Sequence, residues 1–360
     1  MASVIEARAP GKLVIVGEYA VLHGAPGISV AVDVPALARL QSRTGPDSEL
    51  LIPDTGERFG FHWNAAGGVS WLDRSPGALG LPLESCLATL RAQGLWPTAA
   101  AASACRIELD TAAFHGRSAA GQRIKLGLGS SAAVLVALMG VLLKLAQVAS
   151  LTRDELTAIC CAAHRRLQGG SGSGIDVATA VAGGVISIEP LANDQGPRTK
   201  DLAWPRDLHM LAVWSGHSAS TPAMLARLQD YREQQAEACS RHMARLSDIA
   251  SRALSAWQRE DVAAVLASLD SYASALQKLD QDADIGICSG GHVAMREIAR
   301  ANGAVYKPSG AGGGDFGIAL AGSGEVIETV ARDFSARGYH CLEAGICARG
   351  LAVEATAQPG

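Results

Sequence analysis

Charged and aromatic side chains are scarce in this sequence: Asp, Glu, Lys and Arg make up 18% of it, and Phe, Trp and Tyr 4%. Charge so sparse, beside 48% hydrophobic residues, excludes a chain kept disordered by self-repulsion and describes a folded protein. A basic excess is missing too. The formal net charge is −4, so no general basic surface serves a nucleic acid, and any anion site has to be local. The 8 cysteines include the neighbours Cys160 and Cys161 but no C-x-x-C pair. That excludes a zinc or disulfide framework and predicts reduced thiols in a cytoplasmic protein. Residues 1–10 hold Glu6 and Arg8 and lack the apolar stretch of a signal peptide, so neither secretion nor processing is expected. The one uncharged run near membrane length, Leu126 to Leu143, begins with Gly and Ser. It reads as a loop feeding a buried helix, so no membrane role is expected.

What the chain has in quantity is glycine, 40 residues, with 14 prolines, placed as punctuation between short apolar runs. Its 360 residues fit two packed domains better than one core. Strands are expected at Val4–Ile5, Leu13–Val16 and Ile28–Val32, the last ending near Pro35, with a hairpin and loops over residues 41–80. Leu83–Gln93 has helical spacing, Cys105–Leu109 alternates like a strand, and Ala132–Ala146 is apolar nearly all round, the mark of a buried helix. Thr152 and Glu155 form a capping box ahead of the apolar face Leu156, Ile159, Cys160, Ala163 and Leu167, which stops at Gly169-Gly170. A strand at Gly184–Ile188 precedes a Gly- and Pro-bearing linker at residues 191–206, which divides a domain of residues 1–195 from one of residues 206–360. Beyond it the pattern predicts a strand at Leu208–Trp214 and amphipathic helices from Pro222 to Leu279. Next come a helix face of Val326, Val330 and Phe334 stopped at Gly338, and a closing strand at Ile346–Val353.

The strongest local signal is Lys125-Leu126-Gly127-Leu128-Gly129-Ser130-Ser131-Ala132-Ala133, a glycine-rich turn entering a helix. Such a turn lets backbone approach a polyphosphate, and the helix N-terminus favours negative charge. Taken alone, the turn is explained almost equally well by close helix packing. The Walker A pattern G-x-x-x-x-G-K-[ST] is absent, which excludes a P-loop reading. Two further stretches change the balance: Ala9-Pro10-Gly11-Lys12-Leu13 followed by Gly17 to Gly24, and Lys307-Pro308-Ser309-Gly310-Ala311-Gly312-Gly313-Gly314-Asp315. In this order the three resemble the signature motifs of the GHMP kinases. Within that superfamily, Lys125, the segment Ser171 to Ala178 and the segment Trp214 to Thr221 look most like the phosphomevalonate kinase family. Ser215 and His217-Ser218 depart from its W-T-G-x-P-A-S-T pattern, and Ala132-Ala133 from its more usual Gly-Ser.

The resemblance implies an α+β fold of two domains, the first like ribosomal protein S5 domain 2 and the second ferredoxin-like, with ATP and a small acceptor meeting between them. It implies phosphoryl transfer to phosphomevalonate, with mevalonate kinase or a sugar kinase as the alternative. A sensor that binds without reacting, or a decarboxylase on the same fold, fits less well, because Lys12 and Asp176 are both present and the Trp214 to Thr221 segment looks like the kinase. By the same resemblance Asp176 orients or deprotonates the acceptor and Lys12 offsets its charge. Lys125, Gly127, Leu128, Gly129, Ser130, Ser131 and Ala132 would hold ATP, and Ser131 a Mg²⁺ ion. Tyr19, His23, Ser173, Ser220, Thr221, Ser309, Gly310, Ala311 and Asp315, with Lys12 and Asp176, would contact the acceptor. Ser130 and Ser131 are also natural N-caps. Residues 162–168 carry no carboxylate where mevalonate kinases tend to place a second metal ligand. A monomer or homodimer is expected.

Overall fold

The computed structural model describes residues 3–97, 103–117, 123–170, 172–191, 196–342 and 345–357; Ser171 and residues 192–195 of the expected linker lie outside them. β1 (Ser3–Val16) and β2 (Gly27–Ser42) pair antiparallel over nearly their full length. The two short strands expected before residue 17 are therefore one, and the strand expected to end near Pro35 runs on to Ser42. Proline does not interrupt them, because Pro10 faces Pro35 beside a bulge at Pro10/Gly11. Neither residue has an N–H to leave unpaired.

β3 (Ser48–Ile52), β4 (Glu57–Trp63) and β5 (Val69–Trp71) supply the hairpin expected within residues 41–80. They are followed by α1 (Leu81–Ala92), β6 (Cys105–Asp110) and a small two-stranded ribbon, β7 (His115–Arg117) with β8 (Arg123–Lys125). The ribbon feeds α2 (Ser130–Leu145), buried at every residue from Ala132 to Leu143, as its uniformly apolar sequence requires. In α3 (Arg153–Leu167) the capping box forms as read: Glu155 N–H donates to Thr152 Oγ1 at 3.3 Å and Thr152 N–H to Glu155 Oε2 at 2.8 Å. The loop after α3 enters a short helix, α4 (Ile175–Ala182), which turns into β9 (Val185–Glu189).

The linker expectation needs correction. Residues 198–202 form β10 (Arg198–Leu202), an edge strand paired with β9. Its polar, exposed sequence disguises it, since edge strands are commonly charged. The first sheet then runs β10-β9-β2-β6-β3-β4-β5, with β1 on β2.

The second unit opens on β11 (His209–Trp214), crosses over through α5 (Thr221–Gln234), α6 (Ala236–Gln258), α7 (Val262–Ala283) and α8 (Gly290–Ala301), and returns as the hairpin β12 (Val305–Pro308) and β13 (Phe316–Ala321). Then come α9 (Gly324–Ala336), with Val330 and Phe334 buried and Val326 packed on them, and β14 (His340–Leu342). The antiparallel order β12-β13-β11-β14 is the expected ferredoxin-like one.

The chain's last strand, β15 (Ala352–Ala357), leaves this unit and pairs with β1, so the first sheet receives strand from both ends of the sequence. It lies later than the strand expected at Ile346–Val353. Residues 345–351 are spent on crossing hydrogen bonds instead: Asp33 N–H to Gly345 O at 3.0 Å, Gly184 N–H to Cys347 O at 2.7 Å and Leu351 N–H to Val181 O at 3.2 Å. Among the described residues no helix is long and apolar enough to cross a membrane.

Candidate active site

Lys12 sits on β1 just past the Pro10/Gly11 bulge, 7% exposed, and its backbone N–H donates to Leu128 O at 2.9 Å. That bond docks the glycine-rich turn onto the strand. Its Nζ lies 3.3 Å from Oδ1 of Asp176, in the first turn of α4. Residues 164 positions apart in sequence thus form one ion pair. Gly129, at φ +83, is the N-cap of α2, and a Cβ there would stand 3.3 Å from Lys12 Cγ and 3.6 Å from Asp176 Oδ2. The turn reaches the pair closely because it has no side chain.

The third glycine-rich stretch closes over this pair from the second unit. Asp315 packs so tightly on Gly127 that a Cβ there would fall 2.1 Å from Asp315 Cγ. Burial pushes the Asp315 carboxyl upward, against the hydrogen bond from Ala219 N–H at 3.3 Å and the charges of Lys12 and Lys125. Tyr19 OH donates to Ala311 O, and Gly310 N–H to Glu18 Oε1 at 3.3 Å. Ser309 Oγ accepts from Val14 N–H at 2.8 Å and donates to Val14 O at 3.1 Å. Beneath them Lys307, fully buried, donates to Glu18 Oε1 and to Pro308 O at 2.6 Å.

Lys12, Asp176, Glu18, Tyr19, Ser309, Gly310, Ala311 and Asp315 line a cleft of about 570 Å³ between the two units. The first turns of α2 (Ser130, Ser131), α4 (Ile175, Asp176) and α5 (Thr221, Pro222) all reach it, along with Lys12 and Lys125. Three helix N-termini and two ammonium groups make an anion-collecting surface. Ser131 Oγ stands 3.3 Å from Nε2 of buried His164, whose pKa burial lowers and Asp176 raises. Among the described residues no cluster of three or more His, Cys, Asp or Glu side chains could cage a metal. A Mg²⁺ ion held mainly by nucleotide phosphates and water needs only one or two protein oxygens, and Ser131 offers one, so the donor set fits such an ion.

The structure gathers Lys12, Tyr19, Lys125, Gly127, Gly129, Ser130, Ser131, Ser173, Asp176, Ser220, Thr221, Ser309, Gly310, Ala311 and Asp315 along this cleft. Three expected residues are elsewhere. Leu128 and Ala132 are fully buried in the core, and only their backbone is available to a phosphate. His23 is exposed at the end of the turn Ala20–His23, outside the lining. The expected serine cap is also absent: the N-cap of α2 is Gly129, with no side-chain bond. His164, Gln168 and Ser218 also line the cleft, and Lys307 opens the third motif.

Gly127 gives a direct test of the close approach. At φ +70 it has no room for a methyl group. Gly127→Ala is expected to raise the KM for ATP at least about tenfold and to lower the melting temperature, because left-handed strain of about 1–2 kcal/mol adds to the displaced carboxyl. A variant with parental KM and parental melting temperature would contradict the packing of Asp315 on the turn.

A second concavity, of about 510 Å³, lies against the β7–β8 ribbon. There Arg123 Nη2 meets Asp54 Oδ2 at 2.8 Å and Asp54 Oδ1 is buried without a partner among the described residues. It contains neither Lys12 nor Asp176.

Comparisons with known proteins agree with this fold. Residues 98–184 match the family model described as the GHMP kinases N terminal domain. A phosphomevalonate kinase of Streptomyces sp. (strain CL190) is 29% identical over 87% of this chain and 88% of its own. The Lin0012 protein of Listeria innocua superposes with a TM-score of 0.82 at 21% identity, covering 99% of this chain and 100% of that one. The phosphomevalonate kinase of Streptococcus pneumoniae, in complex with phosphomevalonate and AMPPNP, superposes at 0.75 with 18% identity over 95% and 99% of the two chains. Weaker likenesses extend to a human mevalonate kinase and a galactokinase of Lactococcus lactis.

Proposed function

We propose that this chain, a kinase with the N-terminal domain and the fold of the GHMP kinases, transfers the γ-phosphoryl group of ATP to (R)-5-phosphomevalonate, giving 5-diphosphomevalonate and ADP. The observation that carries the reading is the Lys12–Asp176 pair, 3.3 Å apart, at a cleft that α2 and α5 both enter by their N-termini. Two anionic reactants have to lie end to end there, and each helix terminus suits one of them. A neutral sugar would bring no anion to the α5 terminus, and an unphosphorylated acid would bring a carboxylate in place of a phosphate dianion.

The bond that forms joins an acceptor phosphate oxygen to the γ-phosphorus, and the bond that breaks links that phosphorus to the β–γ bridging oxygen. Charge accumulates on the transferred group's equatorial oxygens. Lys12, oriented by Asp176, neutralises it, and the backbone N–H groups of the α2 turn hold the nucleotide phosphates. A bound Mg²⁺ would supply further charge neutralisation, with Ser131 among its ligands. The acceptor phosphate has a second pKa of about 6 and is largely a dianion at neutral pH, so no proton needs removal. Asp176 then serves as the group that orients Lys12 and the acceptor.

A coupled assay of ADP release over phosphomevalonate, mevalonate, galactose and homoserine tests the reading. Turnover is expected with phosphomevalonate, at a kcat/KM at least about a hundredfold above the others, since a site built to hold a phosphate leaves its buried polar groups unpaired by analogues that lack it. Turnover of another acceptor with none for phosphomevalonate would reject it.

A further inference from the structure

The third glycine-rich stretch is held at consecutive residues, and one of its anchors comes from outside the cleft. Gly312, Gly313, Gly314 and Asp315 have φ values of +81, +74, +153 and +55. For the three glycines this is ordinary; for Asp315 it is a strained conformation that its surroundings must impose. The peptide joining Gly314 to Asp315 is gripped at both ends. Its N–H donates to His217 O at 2.7 Å. Its carbonyl oxygen lies 2.8 Å from Nε2 of His292, on the first turn of α8. Two hydrogen bonds on opposite edges of one peptide unit fix its plane, and with the bond from Ser215 N–H to Asp315 O at 2.8 Å they hold the backbone on both sides of Asp315.

The partner of Nε2 settles which of the two ring nitrogens must carry a proton. Gly314 O is a carbonyl and can only accept, so Nε2 carries the proton. The other nitrogen, Nδ1, lies 2.8 Å from the hydroxyl of Tyr306 and, in the neutral ring, can accept from it. Tyr306 is itself confined: it is 1% exposed, and its oxygen stands 1.9 Å from where a Cβ on Gly317 would be. His292 is 2% exposed, and burial pushes its pKa down to about 4, so the ring is neutral over the range in which a phosphotransferase works. The order of support runs from Tyr306 through His292 and the Gly314 carbonyl to Asp315, whose carboxyl packs on Gly127 of the phosphate turn.

We propose that His292 is a positioning residue for phosphoryl transfer: its Nε2–H fixes the Gly314–Asp315 peptide and so holds the Asp315 carboxyl against the turn that carries ATP. The inference rests on the kinase reading above for its catalytic consequence, and on the two hydrogen bonds for its structure.

Two substitutions separate positioning from mere packing. In His292→Gln the amide nitrogen reaches about as far as Nε2 and can still donate to Gly314 O; in His292→Asn it falls one bond short. His292→Asn is expected to lower kcat/KM about tenfold, the size of one lost buried hydrogen bond, and His292→Gln to stay within about threefold of the parent, although both lose similar thermal stability. Equal losses in the two variants, following their melting temperatures, would overturn the proposal. A readout independent of turnover is the ¹⁵N spectrum of the histidine-labelled full chain with the amide exchange rate at Asp315. A neutral ring protonated at Nε2, with exchange accelerated in His292→Asn and near parental in His292→Gln, is the expected result. A ring protonated at Nδ1, or exchange unchanged in His292→Asn, would overturn it. A parent enzyme that phosphorylates none of the four acceptors rejects the kinase reading instead, and leaves the spectrum and exchange to decide whether His292 anchors the loop.

Discussion

Asp176→Asn is expected to reduce kcat for phosphomevalonate by about two to four orders of magnitude, the range over which a positioned acid–base or orienting group contributes. The substitution keeps shape and removes charge. Lys12 Nζ, 3.3 Å from Asp176 Oδ1 and almost entirely buried, would lose the carboxylate that aims it at the transferring phosphoryl group, and it would face the acceptor phosphate unrestrained. The loss should appear in kcat rather than in the KM for ATP, because the α2 turn proposed to hold the nucleotide is untouched. The pH profile then says what Asp176 does. If it only orients, the acid limb of kcat/KM reports the acceptor phosphate, near its second pKa of about 6, and persists in Asp176→Asn at a lower plateau, activity falling in both enzymes as pH drops through that value. If Asp176 removed a proton, the limb would belong to its own carboxyl and would vanish with it. A variant within about fivefold of the parent would remove the pair from the mechanism altogether.

That pair was legible in the sequence only through its neighbours. Neither a lone Lys12 nor a lone Asp176 says anything, but each stands beside a glycine-bearing stretch, and the structure brings the three stretches to one cleft. Local helix signals were read well where a physical mechanism fixes them: the Thr152/Glu155 capping box marks the start of α3, and the unbroken apolar run marks α2 as core. Strand boundaries were read badly where one local rule was overridden by pairing. Pro10 and Pro35 look like breaks, yet placed opposite each other they lie within the longest pairing in the molecule. β10 looked like linker because an exposed edge strand is free to be polar. Leu128 and Ala132 offer a phosphate only their backbone, and a turn's sequence announces that it is glycine-rich without saying which way its side chains face. His292 had no signal at all. A single histidine on an amphipathic helix is read as an ordinary helix residue, and only the fold sets its ring between Tyr306 and Gly314.

Lys307 was read as the first letter of a motif, but its burial gives it the largest expected effect on stability. It is fully buried, its partner Glu18 has a side chain 2% exposed, and the two come from different units, Lys307 from β12 and Glu18 from the stretch after β1. Burial pushes the Lys307 pKa down, and the Glu18 charge and hydrogen bond oppose that shift. Glu18 Oε1 also accepts from Gly310 N–H, whereas Oε2 has no partner among the described residues. Removing the ammonium would therefore leave a buried carboxylate with one weak hydrogen bond. Lys307→Met is expected to cost about 3–5 kcal/mol in denaturant unfolding, the usual penalty for stranding one member of a buried pair. The double substitution Glu18→Gln/Lys307→Met should recover much of that loss, since no uncompensated charge remains. Activity should not return with it. The pair ties Gly310 and Ser309 of the second unit to β1 of the first, and a neutral, better-packed replacement restores stability without restoring the bond from Gly310 N–H to a carboxylate. A single variant within about 1 kcal/mol of the parent would mean that Glu18 takes up a proton or water on losing Lys307, and that the two units are joined by packing rather than by this ion pair.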